Sequence, residues 1–143
     1  MTALPPLAAI LEDYELLEAD DRYRLLIDLG RSLEPMPETL KTDATKVRGC
    51  SASVWLYPTC NRGRLHFLAD SNAAITKGIV ALVISAVQDK TAEQISQLDI
   101  AEALSPFALA KHLSMNRTQG IPNMIALVKE TAARLAPSSG TPI

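Results

Sequence analysis

The chain is poor in aromatic residues, with one Trp, three Tyr and two Phe among 143 residues. Its packing must therefore rest on Leu, Ile, Val and Ala. It has two cysteines, Cys50 and Cys60, and no Cys-x-x-Cys pair. Two cysteines exclude a disulfide framework. With only two histidines, His66 and His112, they also exclude a cysteine-rich structural zinc cage, which takes four ligands. The expectation is free thiols in a reducing compartment. No basic block stands out and the net charge is -2, which argues against nucleic acid as a main partner. Long apolar runs are missing too: Gly78 to Ile84 is far too short to cross a bilayer. Met1 to Pro6 has neither a basic start nor an apolar signal core. A cytoplasmic protein without a membrane segment is expected.

What is present is ordinary for a globular protein: 48% hydrophobic and 21% charged residues. The length suits one domain with a real core. The expected extent is residues 1–136, with 137–143 a flexible tail rich in Pro, Ser and Gly. Leu7, Ile10, Leu11, Tyr14 and Leu17 recur at helical spacing, with Pro5 and Pro6 near the start. Asp20 and Asp21 offer caps for a second helix carrying Tyr23, Leu26 and Ile27, ended by Pro35 and Pro37. Val54 to Tyr57 and Arg64 to Ala69 read as strands joined by a hairpin turn at Asn61-Arg62-Gly63. A short leading strand near Lys46 and Val47 is a weaker signal.

The run Ala73 to Gln88 is apolar on nearly every side, the mark of a buried central helix. Asp70, Ser71 or Asn72 is expected to cap it. Thr91-Ala92-Glu93-Gln94 is a capping box. Asp99 or Ser105 caps a helix around Ile100 to Leu113, broken near Pro106. A last helix runs from about Pro122 to Leu135. The order implies an α+β fold, a small antiparallel sheet of about three strands packed against helices. Trp55 is expected in the core because it opens a strand.

The most informative residue is Cys50, in Val47-Arg48-Gly49-Cys50-Ser51-Ala52-Ser53-Val54-Trp55. Gly and Ser on either side leave little bulk around the thiol. The glycine suits a tight loop before a strand. Such a thiol can act as a nucleophile; the competing reading is a buried structural cysteine, since free Cys is among the most buried residue types.

Three segments together resemble the SufE family of sulfur-acceptor proteins of iron–sulfur cluster assembly. They are Gly49-Cys50-Ser51-Ala52-Ser53-Val54-Trp55, Asp70-Ser71-Asn72-Ala73-Ala74-Ile75-Thr76-Lys77-Gly78, and His112-Leu113-Ser114-Met115-Asn116-Arg117-Thr118-Gln119-Gly120. The resemblance spans nearly the whole chain. It implies a sheet-and-helix fold shared with IscU-type scaffolds. It also implies that Cys50 accepts sulfane sulfur as a persulfide from a PLP-dependent cysteine desulfurase of the SufS type. Cys50 then delivers that sulfur to a SufBCD-type scaffold complex. In this reading the chain is a carrier and desulfurase activator rather than an enzyme. It holds no cofactor of its own; the PLP is the partner's. The resemblance also allows a homodimer, although no self-complementary surface is read from the letters. Pro122 and Cys60 depart from the family pattern, and Cys60 is given no part in sulfur transfer.

Around Cys50 the resemblance and the residue types nominate supporting groups. Gly49 and Ser51 flank the thiol. Arg48 points to the same side as Cys50 if the segment is extended. Arg117 and Gln119 belong to the third motif, Arg117 for partner docking or loop shelter, with a structural salt bridge as its alternative. Asp70 is a helix cap with an added interface role open to it. His112 is a helix-end residue or, less in keeping with its setting, a base. A free cysteine ionises near ~8.5, so something must raise its thiolate fraction at neutral pH. A sibling of the CsdE type, serving another desulfurase, fits the same motifs. An IscU-like scaffold fits less well, because it needs more cluster-ligating cysteines. A cysteine hydrolase needs a His beside Cys50.

Overall fold

A computed structural model of the chain describes residues 4–50, 52–113 and 115–135, without the side chains of residues 112, 116 and 117. The tail expected at 137–143 lies outside the described residues, as does Ser51.

Two helices open the fold, α1 (Leu7–Glu15) and α2 (Ala19–Arg31). Tyr14 packs against Phe107 in a tilted arrangement, 5.0 Å between ring centroids and 59° between ring planes, and the Arg22 guanidinium lies 4.5 Å over the Tyr14 ring. Asp20 and Asp21 do not cap α2. The N-cap position is Glu18, and the two aspartates sit inside the first turn, where negative charge favours the helix dipole. The helix also stops at Arg31, ahead of the prolines expected to end it.

The sheet follows as β1 (Val54–Asn61) and β2 (Arg64–Ser71), antiparallel, with Val54 opposite Ser71 and Asn61 opposite Arg64. The connecting residues Arg62 and Gly63 have φ of 55° and 78°, the left-handed pair of a two-residue hairpin loop. Pro58 is tolerated because β1 is an edge strand. The weak signal at Lys46 corresponds to a single bridge to Trp55, with Val47 N donating to Val54 O. The third strand, β3 (Lys90–Thr91), lies on the other side of β2. Its two residues are extended by a side chain: the Gln88 amide accepts from Phe67 N at 2.8 Å and donates to Phe67 O at 3.1 Å.

Helix α3 (Ala74–Val87) lies against the inner face of this sheet. Val54, Leu56, Leu65, Phe67 and Ala69 point inward by strand alternation. Ile79, Val80, Leu82, Val83, Ile84 and Val87 are buried on α3, so its lack of a polar face is explained by a central position. On its far side α2 crosses so closely that a Cβ on Gly78 would sit 2.1 Å from Leu26 O. Trp55 is not in the core. Its neighbours Val54 and Leu56 take the inner face, leaving Trp55 half-buried on the outer one with Lys41 Nζ 5.7 Å over its ring.

The rest is helical: α4 (Ala92–Gln97), α5 (Ile100–Leu104), a 3₁₀ turn at Ser105–Phe107, α6 (Leu109–His112), α7 (Met115–Thr118) and α8 (Ile121–Leu135). Thr91 and Gln94 form the reciprocal capping box, and Asp99 accepts from Glu102 N at 3.0 Å. Pro106 falls in the 3₁₀ turn, and Ala108 at φ 49° breaks the helix expected through this region. Val128 and Ala132 of α8 are fully buried. Lys129 reaches the last carbonyls of α4, donating to Ile95 O and Ser96 O. Among the described residues no helix is long and apolar enough to cross a membrane.

Candidate functional site

The loop before β1 carries Cys50 to the start of α8. Gly49 takes φ 82°, a conformation that side chains beyond glycine rarely adopt. This turn removes the extended geometry on which a same-side pairing of Arg48 and Cys50 depends. Arg48 is exposed, and its carbonyl oxygen rather than its charge is what the fold uses. The Asn123 amide donates to that oxygen at 2.8 Å.

Cys50 is half-buried. Its sulfur rests on Gly120, where a Cβ would lie 2.2 Å from Sγ. Only a residue without a side chain leaves room for the thiol here. Gly120 is therefore a seat for the sulfur, which gives the last letter of the third motif a direct physical reason. Burial pushes the Cys50 thiol above the ordinary cysteine range. Seated, the sulfur therefore favours the protonated form, the reverse of the raised thiolate fraction that the chemistry calls for. Gly120 immediately precedes α8, whose first turn closes with Met124 N donating to Gly120 O at 3.0 Å.

The second motif ties down the base of the loop. Ser53 N donates to Asn72 Oδ1 at 3.1 Å, and Ser71 Oγ donates to Ser53 O at 2.7 Å. Asp70 is not the cap of α3. That position is Ala73, which makes no side-chain capping bond. The Asp70 carboxylate instead bridges Lys41 at 2.6 Å and Lys77 at 3.1 Å, with Lys41 also on Glu38 at 2.8 Å. Burial alone would raise the Asp70 carboxyl; hydrogen bonds from Lys41, Lys77 and the Ser71 N–H outweigh it and hold it below the usual range. The cluster locks the 38–46 segment to the outer face of the sheet. Asp70 lies opposite Trp55 in the register, and the sequence gives no hint of its use because its partner Lys41 is distant along the chain.

The remaining nominated residues divide. His112 ends α6 and Arg117 lies within α7, but their side chains are not among those described. Gln119 is exposed and closes α7 with its N–H on Met115 O at 2.8 Å. Cys60 is exposed near the hairpin, roughly 20 Å along β1 from its Val54 end. His66 is also remote in the chain's architecture. It is held between Asp89 through Nδ1 and Glu34 through Nε2, each at 2.8 Å. Among the described residues no three His, Cys, Asp or Glu side chains group so as to hold a metal ion. Asn123 is the site residue that sequence reasoning misses. No motif marks it, and its role emerges only when α8 packs beside a loop 75 residues earlier in the chain.

Comparison with known proteins adds four findings. A family model described as SufE, Fe-S metabolism associated domain, matches residues 8–132. An uncharacterized SufE-like protein of Rhizobium meliloti strain 1021 is 35% identical over 134 residues, covering 90% of this chain and 96% of the relative. One from Rhizobium etli is 34% identical over 128 residues, with 86% of each chain covered. The solution structure of a hypothetical protein from Thermus thermophilus matches with a TM-score of 0.73 over 92% of this chain and 97% of that one. At 15% identity that likeness shows the fold alone.

Proposed function

The chain belongs to the SufE family of Fe-S metabolism associated domains, and from that premise we propose that Cys50 is its sulfur acceptor. The donor is the persulfide of a PLP-dependent cysteine desulfurase of the SufS type, with a CsdA-type desulfurase the close variant. The recipient is a scaffold complex of the SufBCD type. The observation that carries the reading is the seating of Cys50 against Gly120 at the head of α8, on a loop turned by Gly49.

The chemistry is thiol exchange without net oxidation. The Cys50 thiolate attacks the terminal sulfur of the donor's Cys–S–SH. A new S–S bond forms on Cys50 as the donor's S–S bond breaks, and the donor sulfur leaves as a thiolate. The proton given up by Cys50 ends on that leaving group. A raised thiol pKa keeps Cys50 unreactive while seated, which protects it from oxidation. Docking that lifts the sulfur off Gly120 restores ordinary thiol acidity where the donor waits. Gly49 supplies the backbone freedom for that motion. Arg117, Gln119 and His112, on the segment just before α8, are assigned to partner contact and loop support, with Ser51 and Arg48 on the loop itself. Asp70 supports the loop indirectly, by holding the preceding 38–46 segment to the outer face of the sheet.

The test is a Cys50→Ser variant presented to the desulfurase with cysteine. It is expected to bind the desulfurase about as well as the wild type while failing to take up sulfur or to speed the desulfurase. Normal sulfur uptake by the variant contradicts the proposal.

A further inference from the structure

We propose that Asn123 is the latch of the Cys50 loop, a positioning residue that sets how often the thiol leaves its seat. The inference deepens the sulfur-acceptor reading, and its biological meaning rests on that reading.

Three observations carry it. The Asn123 amide spans 75 residues of sequence to donate to Arg48 O at 2.8 Å. The same amide fills the space beside Gly49, where a Cβ would lie 2.1 Å from Nδ2. It stands one helical turn from Gly120, on which Cys50 Sγ rests. Latch and seat thus belong to one rigid piece, the head of a 15-residue helix. Breaking the bond to Arg48 frees the loop from the same surface that holds the sulfur.

The neighbouring loop anchors lie outside this stretch: Val47 N on Val54 O before it, and Ser53 N on Asn72 Oδ1 after it. Asn123 grips the segment between them. The bond is exposed, so water competes for both partners. A bond of this kind favours the closed state by about fivefold, enough to hold and weak enough to release. It borders a surface groove of about 450 Å³ lined in part by Lys46, Arg48, Leu127 and Glu130.

The test uses the free protein and needs no desulfurase. Asn123→Asp keeps the shape but turns the donor into an acceptor facing the Arg48 carbonyl; Asn123→Ala removes the group. Alkylation is followed residue by residue by peptide mass, with exposed Cys60 as the internal reference. Both variants are expected to alkylate Cys50 about fivefold faster, and in Asn123→Ala, which adds no charge near the thiol, the pH profile of the reaction is displaced to lower pH as burial is relieved. The Cys60 rate should stay near wild type, and the unfolding midpoint should fall by no more than that fivefold factor accounts for, about 1 kcal/mol. Unchanged Cys50 rates and pH profiles in folded variants overturn the proposal. Should either variant fold poorly, NMR of the wild type decides: protection of one Asn123 amide proton supports the latch, and equal, fast exchange of both overturns it. A failed latch leaves sulfur uptake by Cys50 untouched, and failed sulfur uptake leaves the alkylation result standing.

Discussion

The sulfur of Cys50 occupies the space that any side chain on Gly120 would need, with a Cβ there 2.2 Å from Sγ and 3.1 Å from the Cys50 Cβ. Two residues 70 positions apart are therefore one structural unit: the loop supplies the thiol and the head of α8 supplies the gap. Gly120→Ala closes that gap. Because Cys50 lies on a loop, the loop should yield rather than the helix. The expected result is about tenfold faster alkylation of Cys50 at a stability cost of about 1–3 kcal/mol. Unchanged thiol accessibility in a folded Gly120→Ala protein would contradict this pairing.

Asp70, Lys41 and Lys77 make a small ionic cluster under the outer face of the sheet, with Asp70 and Lys41 side chains only 16% and 15% exposed. Asp70→Asn removes its charge and leaves two lysines facing each other. We expect a loss of about 1–2 kcal/mol, below the cost of breaking a fully buried pair because water reaches the cluster. The Asp70 carboxyl is depressed in the folded state. Its contribution is therefore full above the unfolded value near ~3.9 and fades as pH falls through the lower folded value. Denaturant midpoints of wild type and variant should converge in strong acid. A constant gap across that range would rule out the ionic account.

His66 links the end of the α2 region to the turn after α3 through Glu34 and Asp89. Partial burial works against its protonation, yet the hydrogen bonds to Asp89 and Glu34 win and raise its pKa above the ordinary value. The sign is opposite to that of Asp70. Stability from the clamp is full below about pH 6.5, the unfolded value, and is lost as pH rises through the raised folded value. His66→Asn should flatten a pH-dependent difference of at most about 1 kcal/mol, read as the midpoint shift between mildly acidic and mildly alkaline buffer. Retention of the full wild-type pH dependence by the variant would show the clamp is idle.

Gly78 meets α2 backbone to backbone: a Cβ on it would fall 2.1 Å from Leu26 O, with no flexible side chain to yield. Gly78→Ala must drive α2 and α3 apart and should cost about 3 kcal/mol or more, seen as a lowered unfolding midpoint. Near-wild-type stability would mean that the two helices are not packed this closely.

Much of this architecture is readable in the letters because the signals are local. The capping box of Thr91 and Gln94, the Asp99 cap, the Arg62-Gly63 hairpin and the apolar α3 each depend on residues within a few positions of one another. The misreadings share the opposite property. Asp70 looks like a cap because a cap is the nearest use for an aspartate, whereas its true partner Lys41 comes from another segment. Trp55 reads as core because it stands at the start of a strand, but strand alternation gives the inner face to Val54 and Leu56. The two-residue β3 is too short to leave a pattern. At the site, Cys50 and the glycines stand out by motif. Asn123 does not, because its meaning comes from the meeting of α8 with the loop. The raised pKa of Cys50 is equally hidden, since burial is a property of the assembled fold.

The most direct measurement is the intact mass of the protein after incubation with a SufS-type desulfurase and cysteine. The account predicts a gain of one sulfur atom, removed by reductant, mapped to Cys50 and lost in Cys50→Ser although Cys60 remains. A sulfur carried on Cys60, or a gain that survives the loss of Cys50, would contradict it.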